Sequence, residues 1–123
     1  MANSELVLGS MGVNGVDITS ELTLGSNIDT GHTDIYGFMF GNLIIIEGSW
    51  KATTTLGVND SIVEYPLKYA PSKQIRGAGC AWESDSSKAL NANYWATSTS
   101  HRIGQSASPN VVNGNFIIAW VIE

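Results

Sequence analysis

The chain has 123 residues, 43% of them hydrophobic and 14% charged, and its eleven acidic against six basic side chains give a net charge of −5. That length supports one domain with a real core but not two, and the apolar content speaks against disorder. The acid excess argues against a nucleic-acid partner, which needs a cationic face. No run approaches the ~18 apolar residues of a membrane span, and no charged-then-apolar signal region opens the chain, so neither membrane insertion nor ordinary secretion is expected.

The 13 glycines, the abundant Ser and Thr and the scarcity of helix formers favour many short strands joined by tight turns. Residues 1–34 contain an echo: Ser4-Glu5-Leu6-Val7-Leu8-Gly9-Ser10 returns as Ser20-Glu21-Leu22-Thr23-Leu24-Gly25-Ser26. Between the copies lies Asn14-Gly15, the preferred pair for a type I′ hairpin turn. The copies are either rungs of a neck that becomes stable when chains wind together, or two unrelated strand-and-turn pieces. A loop through Asp29, His32 and Asp34 leads into a strand at Ile35–Phe40. The run Asn42–Trp50 follows, too short and too rich in β-branched residues for a helix, with Lys51–Thr55 as an edge-like continuation.

Gly57–Asp60 reads as a turn and Ser61–Tyr65 as a half-buried strand. Pro66 and Pro71 fix an extended connection, and the neighbouring Lys68, Lys73 and Arg76 read as a solvated loop edge. Gln74–Trp82 is a strand in which Gly77 and Gly79 imply a bulge or a close backbone approach. Residues 83–91 form a polar loop, and strand character resumes over Tyr94–Thr99 and Ser100–Ile103. Asn113-Gly114 is a second predicted hairpin turn, feeding the terminal strand Asn115–Glu123. In that strand Phe116, Ile118, Trp120 and Ile122 share one face while Ile117, Ala119 and Val121 share the other. Both faces are apolar, which points to a second layer supplied by another copy of the chain or, alternatively, by the chain's own loops. The fold class is therefore all-β, an antiparallel sandwich or small barrel of jelly-roll type.

Chemistry is sparse. No Gly-x-Ser-x-Gly elbow accompanies His101, Asp60 or Asp85. Cys80, the single cysteine, has no disulfide partner within the chain and reads as a small buried apolar residue. His32 and His101 are far apart and form no metal-ligand spacing, and Asp29–Asp34 does not match a calcium loop. Neither catalysis nor a cofactor is expected. What remains is aromatic. Trp50 and Trp120 sit in apolar runs and read as core. Trp82 and Trp95 lie among Glu83, Asp85, Asn91, Asn93, His101 and Arg102, a mixture that can stack on the C–H face of a sugar and pair with its hydroxyls. The bland alternative is two core tryptophans with polar neighbours outside.

Gly41-Asn42-Leu43-Ile44-Ile45-Ile46, the Thr53–Thr55 run, Glu64-Tyr65-Pro66-Leu67-Lys68-Tyr69-Ala70-Pro71 and the terminal Gly114-Asn115-Phe116-Ile117-Ile118-Ala119-Trp120 occur in that order. Over residues 35–123 this resembles the C-terminal head domains of receptor-binding and lower-baseplate proteins from siphophages of Gram-positive hosts. The resemblance implies a homotrimer of β-barrel heads at the tail tip of a virion. Such heads are held by other baseplate proteins and bind host cell-wall saccharide, often near a subunit junction. Residues 1–34 would be a neck segment and 35–123 the head. The positions that match the family's Trp, His and Asp or Arg are Trp82, Asp85, Trp95, His101 and Arg102. Two alternatives stay open: a structural baseplate, neck or tail-fibre subunit that binds virion proteins and no sugar, and an unrelated bacterial lectin-like module.

Overall fold

The stretch Asp34-Ile35-Tyr36-Gly37-Phe38-Met39-Phe40 is extended and pairs antiparallel with Leu43–Leu56 in full register, from Asp34↔Ser49 to Phe40↔Leu43. Gly41 sits between them with φ 61°, a left-handed conformation that glycine adopts without a Cβ penalty and that suits the first position of a two-residue hairpin loop. In the computed structural model, which describes residues 6–7, 14–83, 89–106 and 111–123, this hairpin belongs to a single antiparallel sheet. Its strands are β1 (Leu6–Val7), β2 (Asn14–Asp17), β3 (Thr23–Leu24), β4 (Asp34–Phe40) and β5 (Leu43–Leu56). They continue as β6 (Val63–Glu64), β7 (Ile75–Glu83), β8 (Ala89–Ala96), β9 (Arg102–Gln105) and β10 (Val111–Val121). The spatial order is β1-β2-β4-β5-β10-β7-β8-β9-β6-β3. The described residues contain short 3-10 turns but no α-helix. The all-β antiparallel expectation therefore stands.

The sheet rolls up. Tyr65, beside β6, packs its ring 5.2 Å from that of Trp120 on β10, although three strands lie between β10 and β6 in the sheet. Trp120 Nε1 donates to the Tyr69 carbonyl at 2.7 Å, and Tyr94 stacks on Phe116 at 4.9 Å. The segment from β2 to β3 crosses between the two edges. Ile18 N donates to Gly37 O, while Glu21 accepts from Lys68 Nζ at 2.8 Å and from the Tyr69 hydroxyl at 2.7 Å. Lys68 is thus an ion-pair partner and not merely part of a solvated edge. The inward face carries Ile44, Ile46, Trp50, Ala81, Tyr94, Ile103, Phe116, Ile118 and Trp120, all buried. Trp50 and Trp120 are core, as their apolar runs predict. Ile18 and Ile28, from the stretch read as a neck, are 1% and 3% exposed and belong to the same core as residues beyond 34.

Neither Asn-Gly pair with described residues is a turn. Asn14-Gly15 opens β2, where a Cβ on Gly15 would meet the Phe40 ring at 2.2 Å. Asn113-Gly114 lies inside β10, where a Cβ on Gly114 would stand 2.5 Å from the Tyr94 hydroxyl and 2.9 Å from the Trp50 ring. Tertiary crowding demands both glycines. Gly77 and Gly79 follow the same rule, with Ile118 and Tyr94 as the close neighbours. In the sixteen-residue echo, β1, the described part of the first copy, pairs with β2, and β3, from the second, pairs with β6, so these two strands are not paired with each other.

Candidate functional site

Antiparallel partners point to one face, so the registers map the outward face of the sheet row by row. One row reads Lys51, Asn113, Trp82 and Ala89; the next reads Asp34, Ser49, Asn115, Cys80 and Asn91. Cys80 is therefore a half-buried residue of the outer surface, not a core position.

At the first row the ladder breaks. β5 pairs with β10 through Lys51↔Asn113 and rejoins it only at Leu56↔Val111, so Ala52–Thr55 face a single residue, Val112. On its other side β5 is held by Asn27–Asp29: Asp29 N donates to Lys51 O, Thr53 N donates to Asn27 O, and Ile28 bridges Ala52. The intervening Thr30–His32 loops out as a 3-10 turn. An open groove of about 740 Å³ lies here, lined by His32, Ser49, Lys51, Trp82, Glu83, Asn113 and Asn115, with Trp50, Val112 and Gly114 beneath. Its volume lies in the range of small-molecule sites.

Asp29 caps the 3-10 turn by accepting from Gly31 N at 3.0 Å, and its other oxygen lies 2.9 Å from His32 Nδ1. The hydrogen bond from His32, followed by that from the Gly31 amide, holds the Asp29 carboxyl below its ordinary value. With Nδ1–H donated to Asp29, a neutral His32 presents Nε2 as an acceptor. Its side chain is 67% exposed. No hydrogen bond joins Ser49 to His32 among the described residues, so the carboxylate–imidazole pair has no hydroxyl in line. Among the described residues Lys51 makes no ion pair within 4.0 Å, although its charge reaches Asp29. Among the described residues no donor reaches the buried Asn113 Oδ1 at the groove wall. The groove thus offers an indole, two carboxamides, a hydroxyl, an ammonium, a carboxylate and an imidazole. Among the described residues no three His, Cys, Asp or Glu side chains converge as a metal site.

The residues singled out from the sequence fall in two places. Trp82 is in the groove. Trp95 shares its outward face but pairs with Arg76, six positions along β7 and roughly 20 Å away. There the Trp95 ring covers Gly104, and the Arg102 guanidinium stands 5.2 Å from its centre. Arg102 is tethered by hydrogen bonds to the Asn59 carbonyl and the hydroxyls of Ser100 and Ser61. His101 has φ 49° in the turn between β8 and β9, and its carbonyl accepts from Tyr65 N. Residues 97–101 are that turn, closed by Thr97 N donating to Arg102 O, and not the continuous strand their alternation predicts. Asp85 lies outside the described residues. Sequence reasoning missed Ser49, Lys51, Asn113 and Asn115 because each sits in a strand beside apolar neighbours. The one available signal was polar residues interrupting the apolar runs of β5 and β10.

Comparison with protein-family models, curated proteins and solved structures finds no match for this chain.

Proposed function

We propose that the chain is a non-catalytic saccharide-binding module whose site is the Trp82 groove. The observation that supports this best is the half-buried indole of Trp82 set in an open groove among Asn113, Asn115, Ser49, Lys51 and His32. An indole face packs on sugar C–H groups, and planar amides meet adjacent hydroxyls in a few fixed directions. In the setting suggested by its sequence resemblance, the module is the head of a phage adhesion device. It would act at the host surface as a homotrimer, attached to other baseplate proteins. Trp95 and Arg102 are already engaged with each other and belong to a second cluster outside the groove.

Binding of purified chain to cell-wall polysaccharide, followed by calorimetry, tests the proposal. Trp82→Ala is expected to weaken binding at least ~10-fold, equivalent to about 1.4 kcal/mol, while the unfolding transition stays cooperative. Trp95→Ala should leave affinity unchanged. A wild-type chain that binds no wall polysaccharide or glycan but does bind other virion proteins would replace this reading with the structural-subunit one. A Trp82→Ala protein that binds as well as wild type would remove the groove from it.

A further inference from the structure

Below the groove, the same outward face turns apolar. The rows read Tyr36, Glu47, Ile117 and Ala78; then Phe38, Ile45 and Ala119; then Phe40, Leu43 and Val121. Tyr36, Ile117 and Val121 are 44%, 55% and 61% exposed. Phe38, Leu43 and Ile45 are half-buried, and Ala78 and Ala119 are exposed. Nine apolar residues thus lie side by side on four adjacent strands, with Phe40 already buried over Gly15. Four strands ~4.8 Å apart and five residues deep span roughly 300 Å² in plan. That suits the apolar centre of an interface taking ~800 Å² from each partner.

Asp17 on β2 stands beside Phe38 on this face and accepts from Thr19 N, and two further charges within or beside the surface each lack an ion pair among the described residues. Glu47, half-buried on β5, sits between Tyr36 and Ile117, and Arg76 is exposed on the outward face of β7. They flank β10 on opposite sides. A two-fold axis along β10, or a three-fold axis beside it, sets the β5 side of one copy against the β7 side of the next. Glu47 then approaches Arg76 of the partner subunit while Ile117, Ala119 and Val121 gather near the axis. We infer that this face is where copies of this chain associate, packed through Ile117 and Val121 and registered by Glu47 and Arg76. The inference assigns a surface to the self-association in the proposed function, and it is independent of whether a saccharide binds. Because Ser49 and Asn115 adjoin Glu47 and Ile117 on the same strands, a neighbouring copy would also wall the open side of the groove.

Sedimentation velocity on the full chain, with circular dichroism to report folding, tests this. The wild type is expected to sediment as a dimer or trimer at micromolar concentration, and Ile117→Lys as a folded monomer. Glu47→Arg and Arg76→Glu should each weaken association by about tenfold, and the double reversal should restore it. If Ile117→Lys fails to fold, the charge reversals decide on their own. A wild-type monomer would overturn the inference, as would Ile117→Lys sedimenting at the wild-type mass, or a double reversal no better than either single one. A wild type that assembles yet binds no polysaccharide would count against the saccharide reading alone.

Discussion

Tyr94 shows how one hydroxyl can organise a core. It accepts from Trp50 Nε1 at 3.1 Å and donates to the Cys80 carbonyl at 2.7 Å, joining β8 to β5 and β7 in the interior. Burial pushes its phenol pKa upward, so it stays protonated as a donor. Tyr94→Phe keeps the ring on Phe116 but leaves the indole N–H and the carbonyl without that partner. Unfolding in urea should show a loss of roughly 1–3 kcal/mol with no change in saccharide affinity, because the hydroxyl points away from the outward face. The contrast between Trp82 and Trp95 is also settled at this scale: similar polar sequence surroundings, but one ring lines a groove and the other is capped by a guanidinium.

At the scale of elements, β10 is the spine of the sheet. It pairs along most of its length with β5 and over its first half with β7, and its single irregularity, at Val112, lies where the groove opens. Gly114 allows that spine to lie against Trp50 and Tyr94. Gly114→Ala would place a methyl group in space already occupied by backbone and two aromatic side chains. Overpacking of this kind costs typically ~1–3 kcal/mol. The measurement is the denaturation midpoint of the purified variant, and an unchanged midpoint would mean that the core yields at this point.

The whole molecule depends on closure of the rolled sheet, and Glu21 is one fastener. Its bonds from Lys68 and from the Tyr69 hydroxyl hold its carboxyl below the ordinary value of 4.5. A carboxyl lowered on folding contributes stability that is fully present above its unfolded pKa and is lost as pH falls through the folded one. Glu21 and Lys68 are well exposed, so solvent screening keeps the contribution of the ion pair small. Glu21→Gln should therefore lower stability at about pH 7 and make little difference once the pH is well below the ordinary carboxylate range. Urea titrations of both proteins at the two pH values check this, and a difference that grows on acidification would contradict it. Assembly through the Ile117 face would add stability that rises with protein concentration, separable from the pH effect by dilution.

Strand identity was legible in the sequence where a segment's own side chains decide it. The β-branched and aromatic runs of β4, β5 and β10 could be read directly, as could Trp50 and Trp120 as core and Gly57–Asp60 as a turn. Two apolar faces on β10 were legible too, because alternation fixes which residues share a face whatever the neighbours are. The role of a glycine was not: Asn-Gly looks the same in a hairpin loop and under an aromatic ring, and only the packing of Phe40, Tyr94 and Trp50 separates the two. Nor was the groove, which gathers His32, Ser49, Trp82 and Asn115 from distant stretches of chain. Strand register brings them together, and register follows from the pairing of whole faces, which no local pattern encodes.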